Sequence, residues 1–249
     1  NISADFHAGI TTIGLSTNVS IGGSMTATSF HGDGAGLTNA GAFNYDNTTN
    51  IFTQNITSLP NRTSGDSNFF AGENAGNRIT TGSHNVGIGT SAGASITVGS
   101  NNNFLGAYTA SNGSGGGAHN NFFGKFAGYD SGGTVGNNFF GLYAGQRSTG
   151  SYNNFFGWRA GRCNTSGDFN NYIGACAGMF STTGESNNFF GRAAGYNNDT
   201  GSYNNYLGYR AGYCNDTGSY NNFFGCYAGH NNTTGCYNNF FGRGAGECN

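Results

Sequence analysis

The sequence predicts an all-β fold, a β-solenoid of stacked rungs of about 17 residues each, on two observations. The first is composition: 47 of the 249 residues are Gly, one is Pro, and 15% are aromatic. This glycine density disfavours helices, and the aromatic residues supply the apolar surface that disordered chains lack. The second is a tandem repeat with a nearly constant period. Together they predict a packed repeat structure.

A glycine that follows two strand-forming residues defines the repeat. Successive anchor glycines are separated by 17, 17, 18, 17 and 16 residues, and then by 17 residues five times. Eleven copies at one period predict eleven rungs, each in contact with its neighbours only. The anchor glycines are Gly72, Gly89, Gly106, Gly124, Gly141, Gly157, Gly174, Gly191, Gly208, Gly225 and Gly242.

Asparagine occupies the position four residues before every anchor glycine. Stacked rungs bring equivalent positions about 4.8 Å apart, so the amide of one Asn can donate to the carbonyl of the next and form a ladder. Asparagine also tolerates turns, which explains its abundance but not its strict recurrence. The predicted ladder consists of Asn68, Asn85, Asn102, Asn120, Asn137, Asn153, Asn170, Asn187, Asn204, Asn221 and Asn238.

The two residues before each anchor belong to a predicted strand, as in Phe122–Phe123 and Tyr172–Ile173. Neighbours in a strand point to opposite faces, so two bulky residues need cover on both faces. The second position accepts Ile and Leu, whereas the first accepts Tyr, whose hydroxyl needs a polar partner. We therefore expect the second position to face the core. The first is expected to pack under a turn or against another chain, with an exposed carbohydrate-binding strip as the alternative.

Small residues follow each predicted strand, as in Ala127–Gly128, and a further glycine precedes most strands, as Gly150 does. Glycine permits positive φ, and alanine keeps a corner thin enough to stack. Each rung is therefore expected to hold one short strand between two turns.

Residues 1–60 differ in texture from the repeat region, residues 61–249. Alternating stretches at 10–13 and 24–28, separated by glycine-containing loops, predict a small β-rich module that caps the stack or docks to a partner. Its boundary is expected near Pro60. The repeats stop at Cys248–Asn249, in a phase where earlier copies continue. We expect either a shortened chain or a last rung that stacks on another subunit.

The segment TATSFHGDGAGLTN, from Thr26 to Asn39, resembles one found in phage tail-fibre-like and bacterial surface proteins. The rungs resemble the Asn/Phe/Gly-rich repeats that accompany it there, and the two likenesses cover nearly the whole chain. The head repeat of trimeric autotransporters is a more distant analogue with a shorter period. The resemblance implies a β-solenoid fibre with a structural or adhesive role, and it brings no catalytic residue to this chain.

All six cysteines lie after residue 160, at repeated spacings of 12 or 13 residues. An even number at such spacing predicts three local disulfides and an oxidising compartment. Zinc binding is the alternative, although the chain has no CxxC motif. The predicted pairs are Cys163–Cys176, Cys214–Cys226 and Cys236–Cys248.

Asn-x-Ser/Thr sequons recur at one position of the repeat, seven residues after an anchor glycine. An asparagine on an exposed turn there would accept an N-glycan. The alternative is an ordinary turn without sugar. The predicted glycosylation sites are Asn164, Asn198, Asn215 and Asn232.

The charge pattern and the scattered polar residues exclude several classes of function. Nine basic residues and a net charge of −2 argue against a nucleic-acid partner, and the short apolar runs predict no membrane insertion. The five histidines occupy unrelated positions of the repeat, and the acids form no pair suited to acid–base catalysis. We therefore expect no enzymatic activity, no catalytic residue, no metal site and no cofactor.

We expect instead a structural subunit of an extracellular fibre, located outside the cell or on a cell or virion surface. It would assemble with copies of itself through the solenoid ends or the N-terminal module, and it would carry N-glycans. Glycans are a further candidate partner. The alternative is the shaft of a phage tail fibre or trimeric adhesin that attaches to a host receptor.

Overall fold

The computed structural model describes residues 67–113 and 116–248. Within these ranges the chain forms a β-solenoid with strands and turns but no helix, which confirms the predicted all-β fold. The predicted N-terminal module and its boundary near Pro60 lie outside the described residues.

Eleven strands of three residues form one parallel sheet, in which the strands follow one another in sequence order. Parallel neighbours arise because each turn of the coil brings the chain back in the same direction. Every strand begins three residues before its anchor glycine. The strands are β1 (Phe69–Ala71), β2 (Val86–Ile88), β3 (Asn103–Leu105), β4 (Asn121–Phe123), β5 (Asn138–Phe140), β6 (Asn154–Phe156), β7 (Asn171–Ile173), β8 (Asn188–Phe190), β9 (Asn205–Leu207), β10 (Asn222–Phe224) and β11 (Asn239–Phe241).

The strand pairing keeps equivalent positions of the repeat side by side. Asn121 pairs with Asn138, for example, and Phe122 with Phe139. The 18-residue step from β3 to β4 and the 16-residue step from β5 to β6 keep this same register. The differences in repeat length are therefore absorbed in the turns.

The middle residue of each strand points into the solenoid. Phe155 and Tyr172 are fully buried there, whereas Phe156, the third residue of β6, is 38% exposed. The predicted assignment of the two bulky positions is therefore wrong: the first faces the core and the second faces outward. Tyrosine is accepted inside because the Tyr172 hydroxyl has a polar partner there, the hydroxyl of Ser181 at 2.7 Å.

The buried rings stack through the core at the spacing of the strands. Adjacent ring centroids are 4.7 to 5.4 Å apart, which matches the separation of about 4.8 Å between paired strands. Ring stacking and strand pairing therefore favour the same register. The stacked residues are Phe122, Phe139, Phe155, Tyr172, Phe189, Tyr206, Phe223 and Phe240, and the ring of Phe104 packs on that of Phe122 at a tilt of 46°.

The anchor glycine is required by the close approach of successive rungs. Gly174 has φ +139°, and a Cβ added to it would lie 2.5 Å from the carbonyl oxygen of Gly191. Any side chain there would be strained and would also push the rungs apart. Other corner positions hold left-handed backbone without glycine, as at Arg159 (φ 56°) and Phe169 (φ 58°). Each costs about 1 kcal/mol, which the stacking interactions must offset.

Candidate functional site

The predicted asparagine ladder is present in the solenoid interior. The side-chain oxygen of Asn187 accepts the backbone N–H of Asn204 at 2.9 Å, and its amide donates to the carbonyl of Gly201 at 2.8 Å. The oxygen-to-backbone bond recurs between every consecutive pair from Asn68 to Asn238. From Asn68 to Asn221 each side chain therefore bonds one backbone N–H and one backbone carbonyl of the next rung, and such groups need partners when they are buried.

A second asparagine ladder, which the sequence reasoning missed, runs along the outer side of the strands. The amide of Asn188 donates to the side-chain oxygen of Asn205 at 2.8 Å. The same bond, at 2.7 or 2.8 Å, joins every consecutive pair from Asn103 to Asn239. The signal in the sequence was the Asn–Asn dipeptide that opens nine of the eleven rungs.

The four predicted glycosylation sites are buried, which overturns the expectation of exposed turns. Asn164, Asn198 and Asn215 are fully buried, and Asn232 is 1% exposed. The amide of Asn215 donates to the carbonyl of Gly218 at 2.7 Å and to the side-chain oxygen of Asn198 at 2.8 Å. A glycan needs this nitrogen free and exposed. The prediction of N-glycans at these positions is therefore wrong for the folded chain, in which they serve a third, interior set of hydrogen bonds.

All six cysteines are free thiols, so the three predicted disulfides are wrong. The stack brings residues about 17 apart into register, whereas Cys163 and Cys176 are 13 apart and occupy different positions of the rung. Cys163 and Cys214 do share a position, but three rungs separate them by about 14 Å, beyond the roughly 7 Å limit for bridged Cα atoms. The cysteines therefore do not indicate an oxidising compartment. The same applies to the other predicted pairs, Cys214–Cys226 and Cys236–Cys248.

Chemistry-bearing side chains are dispersed along the described part of the solenoid. Within residues 67–113 and 116–248, no three His, Cys, Asp or Glu side chains come together as a group that could hold a metal ion. A small cavity of 20 Å³, large enough for about one water molecule, lies near the 18-residue step between Ser95, Asn120 and Ser131. No helix in the described ranges is long and apolar enough to cross a membrane.

The outer side of the sheet forms a uniform surface, which we call the strand face. It consists of the first and third residues of β1 to β11, and neither position carries a charge in any rung. The third residues form an apolar column, in which Ile88, Phe156, Ile173, Phe190 and Leu207 are 38 to 42% exposed. A contiguous apolar column of this extent is typical of an interaction surface.

Charged residues flank the strand face with opposite signs. Between residues 141 and 225 three basic residues lie one or two positions after an anchor glycine, just beyond the end of a strand, and we call this the basic side. Two acids in the same range lie six positions before an anchor, three residues ahead of a strand, on what we call the acidic side. The basic residues are Arg159, Arg192 and Arg210, and the acids are Asp168 and Glu185.

Aromatic rings hold the arginines of the basic side in place. The guanidinium of Arg159 lies 4.4 Å from the ring centre of Trp158, and that of Arg210 lies 5.1 Å from the ring centre of Tyr213. Both distances are within the range of a cation–π interaction. The positive charges are therefore fixed along one edge of the strand face.

Comparison with models of protein families, with curated proteins and with solved structures found no match to this chain. The structure supports a tandem-repeat β-solenoid with asparagine ladders and aromatic stacks. The likeness to phage tail-fibre-like and bacterial surface proteins stays a prediction from the sequence.

Proposed function

We propose that this chain is a structural, non-enzymatic rod segment of an extracellular or surface fibre, and that it works by associating with copies of itself. The observation that supports this role is the continuity of the interior ladder and of the ring column. The asparagine ladder extends along the whole described sheet, and the ring column extends from β3 to β11, both without a change of register. Such a structure has a length set by the number of its repeats.

The dimensions favour a rod. Ten steps of about 4.8 Å between eleven strands give a length of roughly 48 Å for the described solenoid. Bending or stretching the stack at any one rung would disturb strand pairing, ring stacking and ladder bonds together. A role in spacing or mechanical support uses this stiffness directly.

The use of the buried polar groups also favours a structural role. The side-chain amides of Asn187 and Asn204 donate to backbone carbonyls of the next rung, those of Gly201 and Gly218. Interior side chains committed in this way bind rungs to one another rather than a ligand. N-glycans at the four buried sequons form no part of this proposal.

The second candidate is the shaft of a tail fibre or adhesin that presents a receptor-binding tip. The observation that favours it is the likeness of the segment from Thr26 to Asn39 to such proteins. Both candidates use the solenoid as a stiff spacer. They differ in whether the assembled fibre is indefinite or finite.

Cryo-electron microscopy of the native assembly tests both candidates. Long filaments with a layer spacing of about 4.8 Å along their axis are the expected result. Finite spikes on a virion or cell envelope with the same spacing would favour the shaft. A chain that occurs only as a dispersed protein inside cells would contradict both, whatever its fold.

A further inference from the structure

Together with the charged positions on either side of it, the strand face is large enough to form a stable interface. The sheet is about 48 Å long, and the strands with their flanking positions span about 20 Å, which gives a footprint of about 1,000 Å². Specific complexes bury about 800 Å² on each partner. The face also has the composition of an interface centre, because an apolar column and an amide ladder occupy it without a charge.

The repeat of the strand face restricts what can cover it. Phe140 and Phe156 stack with ring centroids 4.7 Å apart, and the outer ladder repeats from Asn188 to Asn205 at the same interval. A partner makes an equivalent contact at every rung only if its own surface repeats at this spacing. A second copy of this chain has that spacing because it contains the same repeats.

The flanking charges distinguish the two ways in which two strand faces can meet. Rotation about an axis parallel to the stack exchanges the two sides, so the basic side of one copy opposes the acidic side of the other. Rotation about an axis parallel to the strands reverses the direction of the stack instead. The basic sides of the two copies then lie opposite each other, and so do the acidic sides. The parallel arrangement is therefore electrostatically favoured.

One rung shows this complementarity directly. Glu185 lies three residues before the first residue of β8, and Arg192 lies two residues after its last. Both side chains are exposed, and they flank Phe190 from opposite sides. In a parallel pair, rungs of equal height oppose each other. Glu185 of one copy then faces Arg192 of the other, and the symmetry repeats the contact.

We propose that two copies of this chain pair in parallel through their strand faces, with the basic side of each opposite the acidic side of the other. This builds on the proposed self-associating rod and names the surface and orientation of the association. Pairing is measured in dilute solution. A dimer without fibres in the native source would support the pairing and contradict the fibre role. Fibres built from unpaired copies would support the fibre role and contradict the pairing.

Sedimentation of the full chain over a range of concentrations tests the surface. We expect a dimer that Phe190→Asp weakens at least about 100-fold, because the symmetric interface would bury two carboxylates and each costs at least about tenfold. The matched control is Phe180→Asp, since Phe180 is 38% exposed and Phe190 is 39% exposed but Phe180 lies on a corner away from the strand face. The control is expected to dimerise like the native chain.

Circular dichroism establishes that both variants remain folded before their association is compared. A native chain that stays monomeric at the highest concentration would overturn the pairing. So would an oligomer that both variants weaken equally, or that Phe190→Asp leaves intact.

Carbodiimide cross-linking of Arg192→Lys tests the orientation. An amide bond between Glu185 and the introduced lysine, found between isotopically light and heavy copies by mass spectrometry, is expected from the parallel pair. Native protein treated in the same way is the control, because arginine forms no such bond. A dimer of Arg192→Lys that gives no mixed-isotope link at Glu185 would overturn the parallel arrangement.

Discussion

The hydroxyl of Tyr172 lies 2.7 Å from the hydroxyl of Ser181 inside the stack, and both side chains are fully buried. Most rungs have Phe at the position of Tyr172. Ser181 thus gives a hydrogen-bond partner to a polar group in a column of mostly hydrocarbon rings. Burial raises the pKa of Tyr172 well above the usual tyrosine value, in spite of this bond.

Removal of the serine hydroxyl is expected to destabilise the solenoid. Ser181→Ala should lower the free energy of unfolding by about 1 to 2 kcal/mol, because it takes a partner from a buried hydroxyl. The double variant Ser181→Ala with Tyr172→Phe removes both groups and should recover most of the loss. Urea denaturation measures both values. Equal stability of Ser181→Ala and the native chain would contradict the role of this bond.

Alkaline pH is expected to destabilise the fold through the buried tyrosines. Burial raises the pKa of Tyr172 and of Tyr206 in the folded state, whereas both titrate near 10 in the unfolded chain. The folded state therefore holds protons that the unfolded chain releases. The free energy of unfolding should be insensitive to these groups below about pH 10 and should fall as pH rises above it.

Denaturation at a series of pH values, with Tyr172→Phe and Tyr206→Phe combined as the control, measures this dependence. The control should lose stability less steeply than the native chain above pH 10. Identical slopes would mean that the buried tyrosines ionise as freely as exposed ones.

The two asparagines at the start of β8 are expected to differ in importance. Asn187→Ala leaves the N–H of Asn204 buried without its partner and removes one of the two amides that donate to the carbonyl of Gly201, which keeps the amide of Asn198. An unpaired buried group costs about 1 to 3 kcal/mol and the other lost hydrogen bond about 1 kcal/mol, so a loss of about 2 to 4 kcal/mol is expected. Asn188→Ala removes only half-buried amide-to-amide bonds and should cost about 1 kcal/mol or less. Chemical denaturation compares them, and similar losses would contradict the distinction between the inner and outer ladders.

The backbone course of the repeat was predictable because positions with a special backbone requirement accept only one residue type in every copy. Only glycine fits where a Cβ at Gly174 would meet the next rung, and the side-chain amide of Asn187 supplies both the acceptor for the N–H of Asn204 and the donor for the carbonyl of Gly201. Period, register, ladder and parallel order were therefore predictable. The observed ladder differs from the prediction in that its amides donate mainly to backbone carbonyls.

The sequence did not determine which way the side chains point. Both bulky residues of a strand, as in Phe155 and Phe156, are apolar, so composition alone could not assign the core face. The occurrence of Tyr at the first bulky position suggested that this position faces outward. The buried partner that satisfies its hydroxyl, Ser181, is nine residues away in the sequence and could not be recognised there. The sequon at Asn215 likewise looked like a turn, although its side chain faces inward to Gly218.

The six thiols are expected to be reduced and unequal in reactivity. Alkylation of the unfolded chain without a reductant should add six labels, since all cysteines are free. In the folded chain, burial raises the pKa of Cys176, although the nearby Arg159 and Arg192 act in the opposite direction. The thiolate is the reactive form, so Cys176 should be alkylated more slowly than the exposed Cys236 near neutral pH. Peptide mapping measures the rates, and a mass deficit that indicates disulfides would contradict the expectation.

A matched pair of anchor glycines separates backbone strain from the close approach of rungs. Gly174 and Gly242 have φ +139° and +120°, but an added Cβ at Gly174 would lie 2.5 Å from the Gly191 oxygen, whereas one at Gly242 would meet nothing within 4 Å among the described residues. Gly242→Ala should therefore cost about 1 to 2 kcal/mol from strain alone. Gly174→Ala should cost at least about 2 kcal/mol more, because the rungs must also separate and lose strand pairing. Thermal and urea denaturation compare the variants. Equal losses would mean that φ alone, and not the approach of neighbouring rungs, selects glycine at the anchor.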